Sequence, residues 1–232
     1  ACQEGHAPVV ELLLASSEID VNQAKTTDGS TPLFMACQNG HAPVVELLLA
    51  SSEIDANQAL TTTGSTPLFM ACQNGHTPIA KLLLAASDID VNQATTNEGC
   101  TPLFTACQNG HASVVELLLA TSGIDVNQAR ADIGATPLYN SCELGHAPIV
   151  ELLLAASDID VNQARTDDGS TPLFMACQNG HTPIVKLLLA VSGIDVNKHG
   201  HGKGSPLSHA QNLNHTEIVQ VLIDAGGALV SI

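Results

Sequence analysis

The chain has no tryptophan, one tyrosine and four phenylalanines in 232 residues. Any core it forms is therefore aliphatic, and such small or branched side chains suit helices packed at about 8–10 Å. Cations are scarce as well: seven Lys and Arg stand against 23 Asp and Glu, for a formal charge of −16. Phosphate binding needs a basic surface, so nucleic acid is excluded as a partner. The excess acid reads as a solvated surface. No apolar run is long enough to span a bilayer and no signal peptide is present, so no membrane contact is expected. An initiator Met is missing too, which points to a piece of a longer protein. There is no strand run, and hence no P-loop, nucleophile elbow or GxGxxG in its required setting. No catalytic residue and no cofactor are expected.

What is present is repetition. The stretch GSTPLFMACQNGHAPVVELLL, from Gly29 to Leu49, returns at Gly64, Gly99, Gly134 and Gly169, each time 35 residues further on. A looser copy starts at Gly204, and the chain begins inside another at Ala1. A period of this length signals stacked units that bury their apolar faces on one another. The expected partition is one array over 1–232. It comprises a truncated first repeat (1–24), five near-identical 35-residue repeats (25–197) and a divergent closing repeat (198–232). Within a unit, Thr31 caps a helix that opens on Pro32, and Leu33, Ala36 and Cys37 share one face. Gly40 stops that helix, and a second begins near Pro43, with Val44, Val45, Leu47, Leu48 and Leu49 as its apolar residues. A polar connection rich in Asp, Asn and Gly then reverses the chain as a hairpin-like finger. The fold class expected is an all-α solenoid of helix-turn-helix units. The first unit lacks its front half, so part of its second helix should lie open.

Cysteine and histidine follow the period. Cys2, Cys37, Cys72, Cys107, Cys142 and Cys177 form a column, with Cys100 apart. Packed helices hold such positions beyond the roughly 4.4–6.8 Å that a disulfide spans. Unbridged thiols in turn point to a reducing, intracellular (cytoplasmic) location. Seven histidines, from His6 to His215, occupy the Gly-His turns and make a ladder, not a ligand cluster. His199 and His201 lie close together, but no Cys or carboxylate stands nearby at ligand spacing, so no metal site is expected.

TPLFMACQNGHAPVVELLL followed by IDVN resembles the ankyrin repeat, with its TPLHxAAxxGHxxVVxLLL and DVN pattern, over nearly the whole chain. Phe34, Phe69, Phe104, Tyr139 and Phe174 depart from the usual His, and a Cys replaces an Ala in the first helix. The free thiols argue against a consensus-designed scaffold, and the near-identical units read as recent duplication in a natural gene. The resemblance implies that fingers and first-helix ends line a concave groove that holds partners. On the fingers it marks Lys25, Thr27 and Asp28; Leu60, Thr62 and Thr63; Thr95, Asn97 and Glu98; Arg130, Asp132 and Ile133; and Arg165, Asp167 and Asp168. On the helix ends it marks Gln38 and Asn39, Gln73 and Asn74, Gln108 and Asn109, Glu143 and Leu144, and Gln178 and Asn179. The copy holding Arg130, Asp132, Ile133, Tyr139, Asn140, Glu143 and Leu144 departs furthest from its sisters, so a hot spot is expected there. The spacing of Leu14 from Asn22 also looks like the family's asparagine-hydroxylation motif. It recurs at Asn92, Asn127, Asn162 and Asn197, where the competing role is a turn stabiliser.

The function expected is a protein-interaction scaffold that holds a protein or peptide in the groove without a chemical step. The alternatives are a structural spacer in a larger protein, or a substrate-recruiting module of a larger enzyme or effector. A monomer is expected, with contact through the uncapped N-terminal end as the exception.

Overall fold

The computed structural model describes residues 1–16 and 18–228. These form 13 α-helices and one short 3-10 turn (Cys2–Glu4), and no strand occurs among the described residues. The last four residues of the expected closing repeat, 198–232, lie outside them. Two compact units are present, Ala1–Ile124 and Asp125–Ile232.

Each first helix starts in the same way. In α2 (Pro32–Gln38) the Phe34 N–H donates to Thr31 Oγ1 at 3.1 Å, with Pro32 at the start of the helix. Thr66, Thr101, Thr136, Thr171 and Ser205 cap α4 (Pro67–Gln73), α6 (Pro102–Gln108), α8 (Pro137–Leu144), α10 (Pro172–Gln178) and α12 (Pro206–Asn212) alike. Such a cap is worth about 1 kcal/mol. The second helices, α1 (Ala7–Leu14), α3 (Ala42–Leu49), α5 (Thr77–Leu84), α7 (Ala112–Leu119), α9 (Ala147–Leu154), α11 (Thr182–Leu189) and α13 (Thr216–Asp224), follow the Gly-His turn without a side-chain cap.

In the first unit α2, α4 and α6 pack in succession, as do α1, α3, α5 and α7; in the second, α8, α10 and α12 do so, as do α9, α11 and α13. Between the two layers lie the aliphatic residues, with Cys37, Cys72, Cys107, Cys142 and Cys177 buried and every cysteine free. Burial pushes the thiols of Cys37, Cys72, Cys142 and Cys177 well above their ordinary range, to about 12 for Cys177. They behave as small apolar groups. The open face expected on the first unit is there: Val9 and Leu13 of α1 are 47% and 44% exposed, whereas their counterparts Val44 and Leu48 are at most 2% exposed. In the last copy Asn214 replaces the turn glycine and takes φ +59°, a conformation that Asn tolerates better than most side chains.

Two side-chain ladders join successive repeats. His41 Nε2 meets the Gln3 carbonyl at 2.9 Å, and His76, His111, His181 and His215 meet the carbonyls of Gln38, Gln73, Glu143 and Gln178 at 3.0–3.3 Å. Each of these rings lies against the turn glycine of the preceding repeat: a Cβ on Gly75 would sit 2.6 Å from His111 Nδ1, at a φ of +69°. Asparagines form the other ladder. Asn22 Nδ2 donates to the Glu53 carbonyl (2.6 Å), and Asn22 Oδ1 accepts from the Asp55 N–H (2.8 Å). Asn57, Asn127 and Asn162 make the same double bridge. The fingers are closed loops: Lys25 N–H bonds the Ser30 carbonyl, and single bonds from Thr61, Thr96, Thr166 and His201 N–H to the carbonyls of Asp28, Thr63, Ile133 and Asp168 tie loops within each unit.

Candidate functional site

In the first unit, finger loops and first helices enclose a pocket of about 370 Å³. Gln38, Gln73 and Gln108 come from the ends of three successive helices, Met70 and Thr105 from their middles, and Leu60, Thr63, Asn97, Glu98 and Cys100 from the loops. Phe34, Phe69, Ser65 and Thr95 complete the lining. The Thr-Pro start sets the helix register, and that register turns these positions toward the loops. The lining is dominated by carboxamides, hydroxyls and apolar groups, with Glu98 as its carboxylate. Within it, the Cys100 thiol lies 3.7 Å from the Glu98 carboxylate, and Thr63 and Ser65 hydroxyls meet at 2.8 Å.

The pocket gathers eight of the residues marked by sequence: Gln38, Leu60, Thr63, Gln73, Thr95, Asn97, Glu98 and Gln108. Thr62 is exposed beside it. Asn74 and Asn109 serve the frame instead, donating to the carbonyls of Gln38 and Thr105 at 2.9 and 2.8 Å. Lys25 and Thr27 are exposed on the preceding finger, where Lys25 reaches Met35 Sδ at 3.8 Å. Asp28 is occupied by the N–H and hydroxyl of Ser30, and these bonds hold its carboxyl below the usual range. Phe34, Phe69, Met70, Cys100 and Thr105 went unmarked. The signal for two of them was a varying column, Met35, Met70, Thr105, Asn140, Met175, and a single Ser-to-Cys change at Cys100.

In the second unit the marked charges pair with one another. Arg130 grips Asp132 with two bonds, at 3.0 and 2.6 Å, and Arg165 grips Asp167 in the same way. Arg165 also donates to the Tyr139 hydroxyl (3.2 Å), and its guanidinium carbon lies 5.4 Å from the centre of that ring. Lys203 reaches Asp168 at 2.7 Å and Ser170 Oγ at 3.0 Å, over the Phe174 ring. Burial opposes ionisation of Asp168, but Lys203 and Ser170 hold its pKa down to about 2. Tyr139 corrects an expectation: its side chain is fully buried, so it cannot serve as a surface anchor. Burial raises its pKa to about 12 against the pull of Arg165. Ile133 and Glu143 are half-buried and Leu144 is exposed. Glu143 and Gln178 offer their carbonyls to the ladders, and Asn179 donates to that of Glu143 at 2.8 Å.

The five asparagines marked for modification, Asn22, Asn92, Asn127, Asn162 and Asn197, all place Nδ2 on a carbonyl of the following turn. Asn57, which follows Ala56 and not Val, does the same, so the bridge accounts for Asn here without a modification. No group of His, Cys, Asp and Glu that could hold a metal occurs among the described residues. Nor, among those residues, is any helix long and apolar enough to cross a membrane.

The family model for ankyrin repeats in three copies matches residues 1–95, 52–130, 88–165 and 160–231. The chain belongs to the ankyrin-repeat family. Ankyrin repeats are generally protein–protein interaction modules, and the fold is typically non-catalytic. Among solved structures the chain is similar to the ankyrin repeat domain of Bcl-3, a member of the IkappaB protein family. The TM-score is 0.79 at 24% identity, over 95% of this chain and 96% of that one. Identity at that level speaks for the fold, and 577 chains of known structure match it, so ankyrin architecture alone does not select a partner. No curated protein sequence matches the chain.

Proposed function

We propose that the chain holds an extended segment of a protein partner in the groove between its fingers and first helices, with no chemical step. One observation carries this: the pocket of about 370 Å³ in the first unit, lined by three glutamines at equal register from three repeats. Carboxamides spaced by the repeat can bond the main chain of a segment laid across them. The pocket between them takes one large side chain, at the lower end of the usual size of ligand sites. Residues 1–124 carry 12 acidic and two basic side chains, which favours a cationic segment. The free thiols support an intracellular location.

A random dodecapeptide library displayed on phage and selected on the wild-type chain tests this. Binders should lose about tenfold or more in affinity on Gln73→Arg/Gln108→Arg, which places charge and bulk at the pocket. Selected peptides that bind this variant as well as wild type would remove the pocket from the site.

A further inference from the structure

Asn140 is the buried polar side chain whose oxygen, Oδ1, finds no hydrogen-bond partner among the described residues; the residue is 7% exposed. An orphaned buried acceptor costs about what a lost hydrogen bond costs, so native chains rarely keep one without use. Its neighbour Ser141, buried completely, solves the same problem by donating to the Pro137 carbonyl at 2.8 Å. Sister repeats place Met35, Met70 and Met175 at the Asn140 register, or Thr105. Met70 and Thr105 line the pocket of the first unit, so this is a groove-facing register. Thr105 is provided for internally: Asn109, four residues on, donates to its hydroxyl at 3.3 Å. The residue four beyond Asn140 is Leu144, which has no donor and stands 46% exposed. The copy that gains a buried acceptor is also the copy that loses the donor able to satisfy it.

We infer that Asn140 is a specificity-determining residue whose carboxamide oxygen accepts an N–H from the bound segment. The inference rests on the groove binding proposed above. The free chain bears the unmet acceptor, and the partner relieves it.

The test has two arms on the full chain. In the first, Asn140→Leu keeps the branched shape and deletes the acceptor, and its thermal midpoint should rise by about 2–4 °C. Leu144→Asn, which restores the internal donor, should raise the midpoint in the wild-type background and not in Asn140→Leu. An unchanged or lower midpoint for Asn140→Leu means that the oxygen is already satisfied and overturns the inference. The second arm uses dodecapeptides selected from the library on wild type and weakened by the triple variant Arg130→Ala/Ile133→Ala/Leu144→Ala. These should lose about tenfold or more on Asn140→Leu and keep their affinity on Asn140→Asp, which retains an acceptor. Equal binding to wild type and Asn140→Leu, or equal loss on both variants, overturns the inference alone. If no selected peptide responds to the triple variant or to Gln73→Arg/Gln108→Arg, groove binding itself falls, and the inference with it.

Discussion

The two units use one frame to present opposite surfaces. Along residues 1–124 the groove positions are mostly carboxamides, hydroxyls and apolar side chains, with Lys25, Asp28 and Glu98 as the charges, and they leave a pocket. Along residues 125–232 the same positions carry Arg130, Asp132, Arg165, Asp167 and Asp168, which close on one another or on Lys203. A partner meeting the first surface displaces water from groups that are mostly neutral. One meeting the second must compete with ion pairs already made, or use what they leave over, such as Leu144 and Asn140. Charge at a groove position is therefore a poor guide to binding where the chain supplies its own counter-charge, and partly exposed pairs of this kind add only about 0–1 kcal/mol.

The comparison assumes that the frame is equally strong in both units, and turn glycines test that most severely. Gly75→Ala and Gly145→Ala force a Cβ to within 2.6 and 2.7 Å of His111 and His181 at positive φ, and each should cost about 2–4 kcal/mol in urea unfolding. Gly123→Ala and Gly193→Ala share the positive φ but meet nothing within 4 Å, so about 1 kcal/mol is expected. A silent Gly145→Ala beside a costly Gly75→Ala would show unequal frames. Asn57→Leu and Asn127→Leu each remove a double bridge and should cost about 2 kcal/mol in either unit.

The remaining effects separate the units. Asp168 has a depressed pKa, so its contribution is complete above the unfolded value of 3.8 and is lost as pH falls toward about 2. Thermal melts between pH 5 and 2 should therefore show a loss of about 1 kcal/mol that Lys203→Met reduces and that Asp168→Asn abolishes. Thr105→Met in the first unit restores the commoner residue and should change stability by less than about 0.5 kcal/mol. It should nevertheless weaken library-selected peptides that use the pocket, as titration calorimetry would show.

Fold and site differ in how far the sequence disclosed them. Helix starts and stops are local: Thr31 and Pro32 act within one turn, and Gly40 within the next, so the helices were legible at once. The pocket requires side chains from three repeats, 35 residues apart, to face the same space, and the exchange of Met for Thr105 does not announce a cavity. Tyr139 misled because Tyr is common at binding surfaces. Its register matched Phe34 and Phe104, both buried, and that column was the better guide. The self-pairing of Arg130 with Asp132 and Arg165 with Asp167 shows in a shared Arg-x-Asp spacing, but only rotamers reveal that each pair closes. The asparagines read as turn formers within a repeat; their second role, across to the next one, exists only in three dimensions.

The histidine and asparagine ladders land on main-chain groups: the carbonyls of Gln3, Gln38 and Gln73, and the Asp55 and Asp90 amides with the carbonyls before them. Every residue type offers the carbonyl, and every type but proline the amide, so a duplicated copy finds its docking points without any matching change in its neighbour. Copy number and groove chemistry can thus vary independently in a lineage. A gene built this way can lengthen by unequal crossing-over first and diversify what it recognises afterwards.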